Sequence, residues 1–274
     1  HTESMNITFL GGGNMAQALI GGLLERGFSA SAIRVVELKP EGRVLLEQRF
    51  GVSASAELDD AALASDVLVL AVKPQQMREA LAPARGRLGQ ALVVSIAAGL
   101  TLAVLQRWLG GHRRIVRVMP NTPALIGAGA AGLYADPCVD AAGREAAGQI
   151  LGAVGSVVWL DSEAKIDAVT ALSGSGPAYV FYFIEALIEG GLSLGLDAET
   201  ARNLALDTLL GATKLALASS EDAATLRERV TSKGGTTAAA LDVLSSGNFK
   251  ALIAKALAAA NARSEELGSE LGRD

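Results

Sequence analysis

Asn6-Ile7-Thr8-Phe9-Leu10-Gly11-Gly12-Gly13-Asn14-Met15-Ala16 is the stretch on which the fold turns. Ile7 to Leu10 is a short strand-forming run that passes directly into three glycines and then into a helix-forming segment. Gly11-x-Gly13-x-x-Ala16 has the spacing of a strand, a tight turn and a helix start that receives a dinucleotide pyrophosphate. Gly11 permits the turn, Gly13 lets the pyrophosphate approach the backbone, and Ala16 lets the helix lie close on the sheet. The anion then rests on the helix N-terminus. A glycine-rich turn that binds nothing reads the same over so few residues, so the rest of the chain has to decide.

Outward from this stretch, short β-branched runs alternate with helical ones: Ile33 to Glu37, Val67 to Val72, Leu92 to Ile96 and Ile115 to Met119. That rhythm specifies an α/β fold, a Rossmann-like, doubly wound, mostly parallel sheet with crossover helices. The runs are apolar at consecutive positions, as strands are when helices cover both faces of a sheet. Further strands are expected at Gly132 to Tyr134 and Ser156 to Trp159, completing the far edge. After Asp161 the strand signal ends, and Ala- and Leu-rich helices separated by Gly, Asp and Ser follow. The expected division is a dinucleotide-binding domain over 5–161 and an all-helical substrate-binding and dimerisation domain over 162–274. Within the latter, Pro177 stands just inside a helix start, Gly195 ends that helix and Asp197 caps the next. The Pro177 helix is apolar on nearly every side, through Val180, Phe181, Phe183, Ile184, Leu187 and Ile188. Such a helix must be covered all round, which predicts a homodimer at least.

Composition excludes several partners. The chain has 274 residues, half of them hydrophobic, and a formal charge of -5, which gives no basic footprint for nucleic acid. Cys138 is the single cysteine, so a disulfide within the chain and a cysteine metal cluster are both ruled out, in keeping with a reducing, cytoplasmic compartment. His1 to Ser4 reads as a leader ahead of Met5, with no secretory signal before the first strand. His112, in Gly110-Gly111-His112-Arg113-Arg114, is read as a solvated loop residue without a catalytic role. The segment from Pro177 to Leu194 carries Glu185 and Glu189 and falls short of the roughly twenty apolar residues of a membrane span.

Candidate cofactor contacts follow the strand ends. Glu37, 24 positions after Gly13, stands where a carboxylate accepts hydrogen bonds from the adenosine ribose, which favours NADH, while Lys39 offers a compensating charge for the 2′-phosphate of NADPH. Ala71-Val72-Lys73-Pro74-Gln75 and Ser95-Ile96-Ala97-Ala98-Gly99 both lie at the carboxyl edge of the sheet, and the small residues of the second permit close approach of a nicotinamide ring. A second anion cradle is expected at Val230-Thr231-Ser232-Lys233-Gly234-Gly235-Thr236-Thr237, which leads into the helix former Ala238-Ala239-Ala240-Leu241. There the amides and hydroxyls suit a carboxylate at a helix start, and a turn with a threonine cap is the plainer alternative. Ser173-Gly174-Ser175-Gly176-Pro177 is another donor-bearing helix start. The helix before it is expected to place Glu163, Asp167 and Thr170 on one face.

Taken together, Phe9 to Ala16, Ala71 to Gln75, Met119-Pro120-Asn121-Thr122-Pro123, Leu172 to Tyr179 and Ser232 to Thr237 resemble, in this order, the pyrroline-5-carboxylate reductases over nearly the whole chain. The resemblance implies hydride transfer from NADPH or NADH to the C=N bond of 1-pyrroline-5-carboxylate, giving L-proline. It also implies an interlocked homodimer with an active site shared between subunits, and rings of dimers. By the same resemblance Glu163, Thr170, Ser232, Gly234, Gly235, Thr236 and Thr237 bind the substrate, with Thr237 as the catalytic hydroxyl on the ring nitrogen. Leu10, Gly11, Gly12, Gly13, Asn14, Met15, Ala71, Val72, Lys73, Pro74, Ala97, Ala98 and Gly99 match the cofactor shell. Glu37 departs from the neutral or hydroxyl side chains that often meet the extra phosphate, so NADH and NADPH both remain open. Two rival readings are a β-hydroxyacid dehydrogenase-like reductase and a dinucleotide sensor without turnover. The first needs a lysine and an asparagine on the interdomain helix, and Gly176 to Glu185 contains neither.

Overall fold

The computed structural model describes residues 5–273; the leader His1 to Ser4 lies outside the described residues. By compactness the chain divides into two units, one running to Ser175 and resuming at Ala260, the other Gly176–Ala259.

The first unit is built on eight strands: β1 Ile7–Leu10, β2 Ile33–Val36, β3 Ser53–Ser55, β4 Val67–Leu70, β5 Leu92–Ser95, β6 Ile115–Met119, β7 Gly129–Ala135 and β8 Gly155–Trp159. They form one sheet in the order β3-β2-β1-β4-β5-β6-β7-β8. Every pairing is parallel except β6 with β7. The chain winds outward from β1 to β3, then returns to lay β4 on the other side of β1, with Leu10 level with Leu70. A crevice opens where a parallel sheet reverses its winding in this way, at the carboxyl ends of the strands.

Successive residues of these strands feed two cores, which is why the runs are apolar without alternation. Ile7, Phe9, Val67, Val69 and Val94 face Leu19, Ile20 and Leu23 of helix α1 (Asn14–Glu25), whereas Leu10, Leu68, Leu70 and Val93 face Met77 and Leu81 on the opposite side. Thr8 points to that second side among apolar residues. Its hydroxyl is satisfied by the Ala62 carbonyl at 3.1 Å and by Ser65 Oγ.

Further helices of this unit are α2 Pro40–Phe50, α3 Asp60–Leu63, α4 Pro74–Leu81, α5 Leu102–Trp108, α6 Ala141–Gly152 and α7 Lys165–Val169. Thr170–Gly174 continues α7 as a π-helical turn, in which the Ser175 amide donates to the Thr170 carbonyl at 2.8 Å.

The second unit is helical: α8 Gly176–Ser193, α9 Ala198–Ala218, α10 Ala223–Arg229, α11 Thr236–Ser246 and the first half of α12 Phe249–Leu271. As expected, Pro177 is the second residue of α8 and Asp197 caps α9, its carboxylate accepting from the Thr200 amide at 2.8 Å. The apolar character of α8 is left uncovered within one chain, Phe181 being 63% and Tyr182 76% exposed. Because helix is continuous from Lys165 to Ser193, this run is long and apolar enough to cross a membrane by length and composition, which the segment counted from Pro177 is not. At its far end α12 returns to the first unit. Ser264 donates to Asp167 at 2.6 Å, Arg107 donates to the Gly272 carbonyl at 3.0 Å, and Leu271 joins the core beside α5.

Candidate active site

The glycine-rich turn is shaped by close packing on one side and openness on the other. Gly11 has φ +104°, and a Cβ there would stand 2.8 Å from the Ala71 carbonyl carbon, so the turn requires glycine twice over. Gly12 is buried under Leu46 and Glu37, its amide donating to Glu37 Oε2 at 3.0 Å. Gly13 differs: a Cβ would meet nothing within 4 Å, and the residue is exposed. Gly13 is also the N-cap of α1, and no side chain closes that helix start. By contrast α3, α5, α6, α9 and α10 are all closed by an Asp or Thr side chain at the N-cap. The first amides of α1 therefore face open space with the positive end of the helix dipole behind them, a fit for a pyrophosphate.

Around this turn the strand ends converge. A cleft of about 330 Å³ is lined by Met15, Ala71 to Pro74, Ile96 to Ala98, Met119 to Thr122 and Gly174. It gathers three of the predicted cofactor segments in one place and adds two that were singled out without a role. A wider groove of about 510 Å³ over Gln75, Arg78, Arg85 and Trp108 contains no residue of the glycine turn and has none of the cleft's small lining residues. Asn121 fixes the new wall: its Nδ2 donates to the Ser173 carbonyl at 3.0 Å, and its Oδ1 accepts from the Ala130 amide at 2.8 Å. Gly174 packs so tightly on Met119 that a Cβ would stand 2.5 Å from the methionine methyl. Gly99 lies just past the cleft wall, with φ +78° and the Leu271 side chain against it.

The remaining candidates fall in two places. Glu163 and Thr170 belong to the first unit. Glu163 precedes α7 instead of riding on it, and its Oε2 accepts from the Leu102 amide at 2.8 Å and from Arg117 at 3.1 Å. Arg117, buried in β6, is a partner of Glu163 that the sequence hides, since a charge inside an apolar strand reads as an outward-facing position. Thr170 donates to the Ile166 carbonyl at 2.8 Å, and Asp167 is held by Ser264. His112 is half-buried, not freely solvated; its Nε2 lies 2.8 Å from the Ala91 carbonyl, and burial pushes its pKa down against that hydrogen bond.

Ser232 to Thr237 lie in the second unit, Ser232 to Gly235 between α10 and α11 and Thr236 and Thr237 as the first two residues of α11. Gly234 has φ +73° and turns the chain, and Gly235 becomes the N-cap of α11 with no side chain closing the helix. A Cβ at Gly235 would stand 2.7 Å from Ser232 Oγ. The threonine cap considered as the plainer alternative is thus not what starts α11; glycine leaves its first amides free, as in α1.

The glycine turn after β1, the uncapped start of α1 and the sheet reversal beside it define the class of dinucleotide-binding α/β proteins. Residues 6–99 match a family described as NADP oxidoreductase, coenzyme F420-dependent, and residues 163–267 match pyrroline-5-carboxylate reductase dimerisation. The chain is 50% identical over 270 residues to a pyrroline-5-carboxylate reductase of Pseudomonas aeruginosa, covering 97% of this chain and 98% of that one. It is similar in structure to a pyrroline-5-carboxylate reductase from Coxiella burnetii, with TM-score 0.93, 44% identity and coverage of 96% and 98%. The Plasmodium falciparum pyrroline carboxylate reductase, solved with NADP bound, superposes with TM-score 0.84 at 30% identity, covering 97% and 99%. The chain belongs to the pyrroline-5-carboxylate reductase family.

Proposed function

We propose that this chain reduces the C=N bond of 1-pyrroline-5-carboxylate to L-proline with NAD(P)H. The carrying observation is the pair of glycine-started helices, α1 at Gly13 and α11 at Gly235, whose first amides no side chain caps. One suits a pyrophosphate and the other a carboxylate. The chemistry that NAD(P)H supplies when bound is a hydride for the imine carbon.

The protein's own residues bind, orient and exclude water. Leu10 to Ala16 hold the pyrophosphate, with Glu37 and Lys39 toward the ribose. Ala71 to Pro74 and Ala97 to Gly99 wall the nicotinamide side. Ser232, Gly234, Gly235 and Thr236 take the substrate carboxylate through amides and hydroxyls, and Thr237 Oγ1 orients the ring nitrogen. Glu163 and Thr170 are the substrate-binding candidates of the first unit, and the Arg117 and Leu102 contacts hold Glu163 in place. An imine is readily protonated near neutral pH, so holding the reacting carbon within roughly 3 to 3.5 Å of the hydride matters more than a tuned acid. No histidine is needed.

The exposed face of α8 is the surface a second copy covers, and the match of residues 163–267 to a dimerisation family supports this over a bilayer. The reading extends to a substrate-binding and dimerisation domain that starts after Asp161, to rings of dimers, and to the cytoplasm, where a chain with one cysteine stays reduced. Following NADH or NADPH oxidation by absorbance on adding 1-pyrroline-5-carboxylate tests the activity. Cofactor binding without any oxidation would leave the sensor reading in its place.

A further inference from the structure

The turn from β2 into α2 brings a carboxylate and a guanidinium to one point by different routes. Glu37 faces inward, its Oε2 accepting from the Gly12 amide at 3.0 Å and its Oε1 from the Lys39 amide at 3.2 Å. Gly42 lies directly against it, a Cβ there falling 2.9 Å from Glu37 Cγ. Arg43, in the first turn of α2, reaches back over the strand end. Its Nη1 donates to the Glu37 carbonyl at 2.8 Å and to the Leu38 carbonyl at 2.9 Å. No other partner of Arg43 exists among the described residues, so Nε and Nη2 have none. Helix α2 begins at Lys39 and Pro40 with no side-chain cap, and Leu38 beside it is 79% exposed.

We infer that Arg43 reads the 2′-phosphate of NADPH, and that Glu37 serves the ribose hydroxyls of NADH. The inference deepens the cofactor assignment made for the α1 turn and rests on it. A bare carboxylate at a strand end would repel a phosphate dianion, but both oxygens of Glu37 are already held by backbone amides. The charged side chains from Glu37 to Arg43 are Glu37, Lys39, Glu41 and Arg43, which sum to zero, so placement decides and not net charge. Arg43 is placed: two carbonyls fix one corner of a rigid fork, leaving its other donors beside the uncapped start of α2. That combination of a planar donor set and a helix start is suited to phosphate. Lys39, exposed and on a flexible stem, adds charge without direction.

The test is equilibrium binding of 2′,5′-ADP and of 5′-AMP to the full chain by calorimetry, with no turnover involved. In Arg43→Met, 2′,5′-ADP should bind about tenfold or more weakly, the factor a charge-assisted hydrogen bond carries, while 5′-AMP binding is unchanged. Arg43→Lys should recover part of the loss, because the charge stays and the fork goes. The ratio of kcat/KM for NADPH over NADH should fall in parallel, and Glu37→Ser should raise it. Equal weakening of both ligands in the two Arg43 variants would show that Arg43 only braces the strand end, and an unchanged ratio would show that it reads nothing; either overturns the inference. If the wild-type chain bound neither nucleotide, the α1 assignment itself would fall and take this one with it.

Discussion

Asn121 and Ser173, 52 positions apart, are joined by a hydrogen bond of 3.0 Å from the asparagine amide to the serine carbonyl, while the other end of the same amide holds Ala130. One side chain thus ties the loop after β6 to the π-helical turn and to β7, and shapes the wall of the cleft at the strand ends. Asn121→Ala should lower stability by about 1–2 kcal/mol, the cost of leaving part-buried backbone groups unpaired. Thermal unfolding measures this, and cofactor affinity should fall in the same variant.

Gly11 and Gly13 sit two residues apart and should respond oppositely to enlargement. Gly11→Ala forces a side chain into φ +104° and against Ala71, so it should destabilise the fold by about 1–3 kcal/mol. Gly13→Val meets open space at an ordinary φ of -75° and should fold normally yet lose dinucleotide binding. A Gly13 variant that binds NADH as the wild type does would remove the pyrophosphate from this helix start.

Thr237→Ala should cut turnover of 1-pyrroline-5-carboxylate by about 10²-fold, the effect of a misplaced reacting group, with NADH affinity intact. Titrating NADH by fluorescence alongside steady-state kinetics separates the two effects. Full turnover in this variant would defeat the substrate assignment of the loop.

A charge on the uncovered face of α8 should prevent self-association. Tyr182→Asp adds one at a position 76% exposed in the single chain, where it costs the isolated fold little. Sedimentation velocity should show an oligomer for the wild type and monomer for the variant; an unchanged oligomer would place the interface elsewhere.

His112 gives stability a pH dependence of known sign. Burial lowers its pKa, the Ala91 contact opposing, so the unfolded chain takes up a proton that the folded one resists. Stability from this group should therefore fall as pH drops through about 6.5, the unfolded value, and level off below the folded one. Melting temperatures across that range should flatten in His112→Gln.

Much of the fold was readable because strands buried on both faces must be apolar at every position. Ile7–Leu10, Val67–Leu70 and Leu92–Ser95 announce themselves in that way. Ser53-Ala54-Ser55 does not: it is an edge strand held by pairing with β2, and its small polar residues carry no such signal. The antiparallel entry of β7 was equally silent, since orientation is set by where the chain travels and not by what it contains. Within the site, the glycine turns showed themselves through composition. The roles of Arg117 and Asn121 did not, because each depends on a partner about fifty residues away.

Helix α12 has a bearing on biosynthesis. Ser264, Leu271 and Gly272 complete the unit that starts at the other end of the chain, filling the space beside Gly99 and bonding Asp167 and Arg107. On the ribosome, the strands are all translated well before α12, and the flank beside α5 stays unsealed until Ser264 to Gly272 have emerged. A nascent or truncated chain lacking these residues would offer proteases and chaperones an open flank beside α5 and leave Gly99 without its Leu271 neighbour.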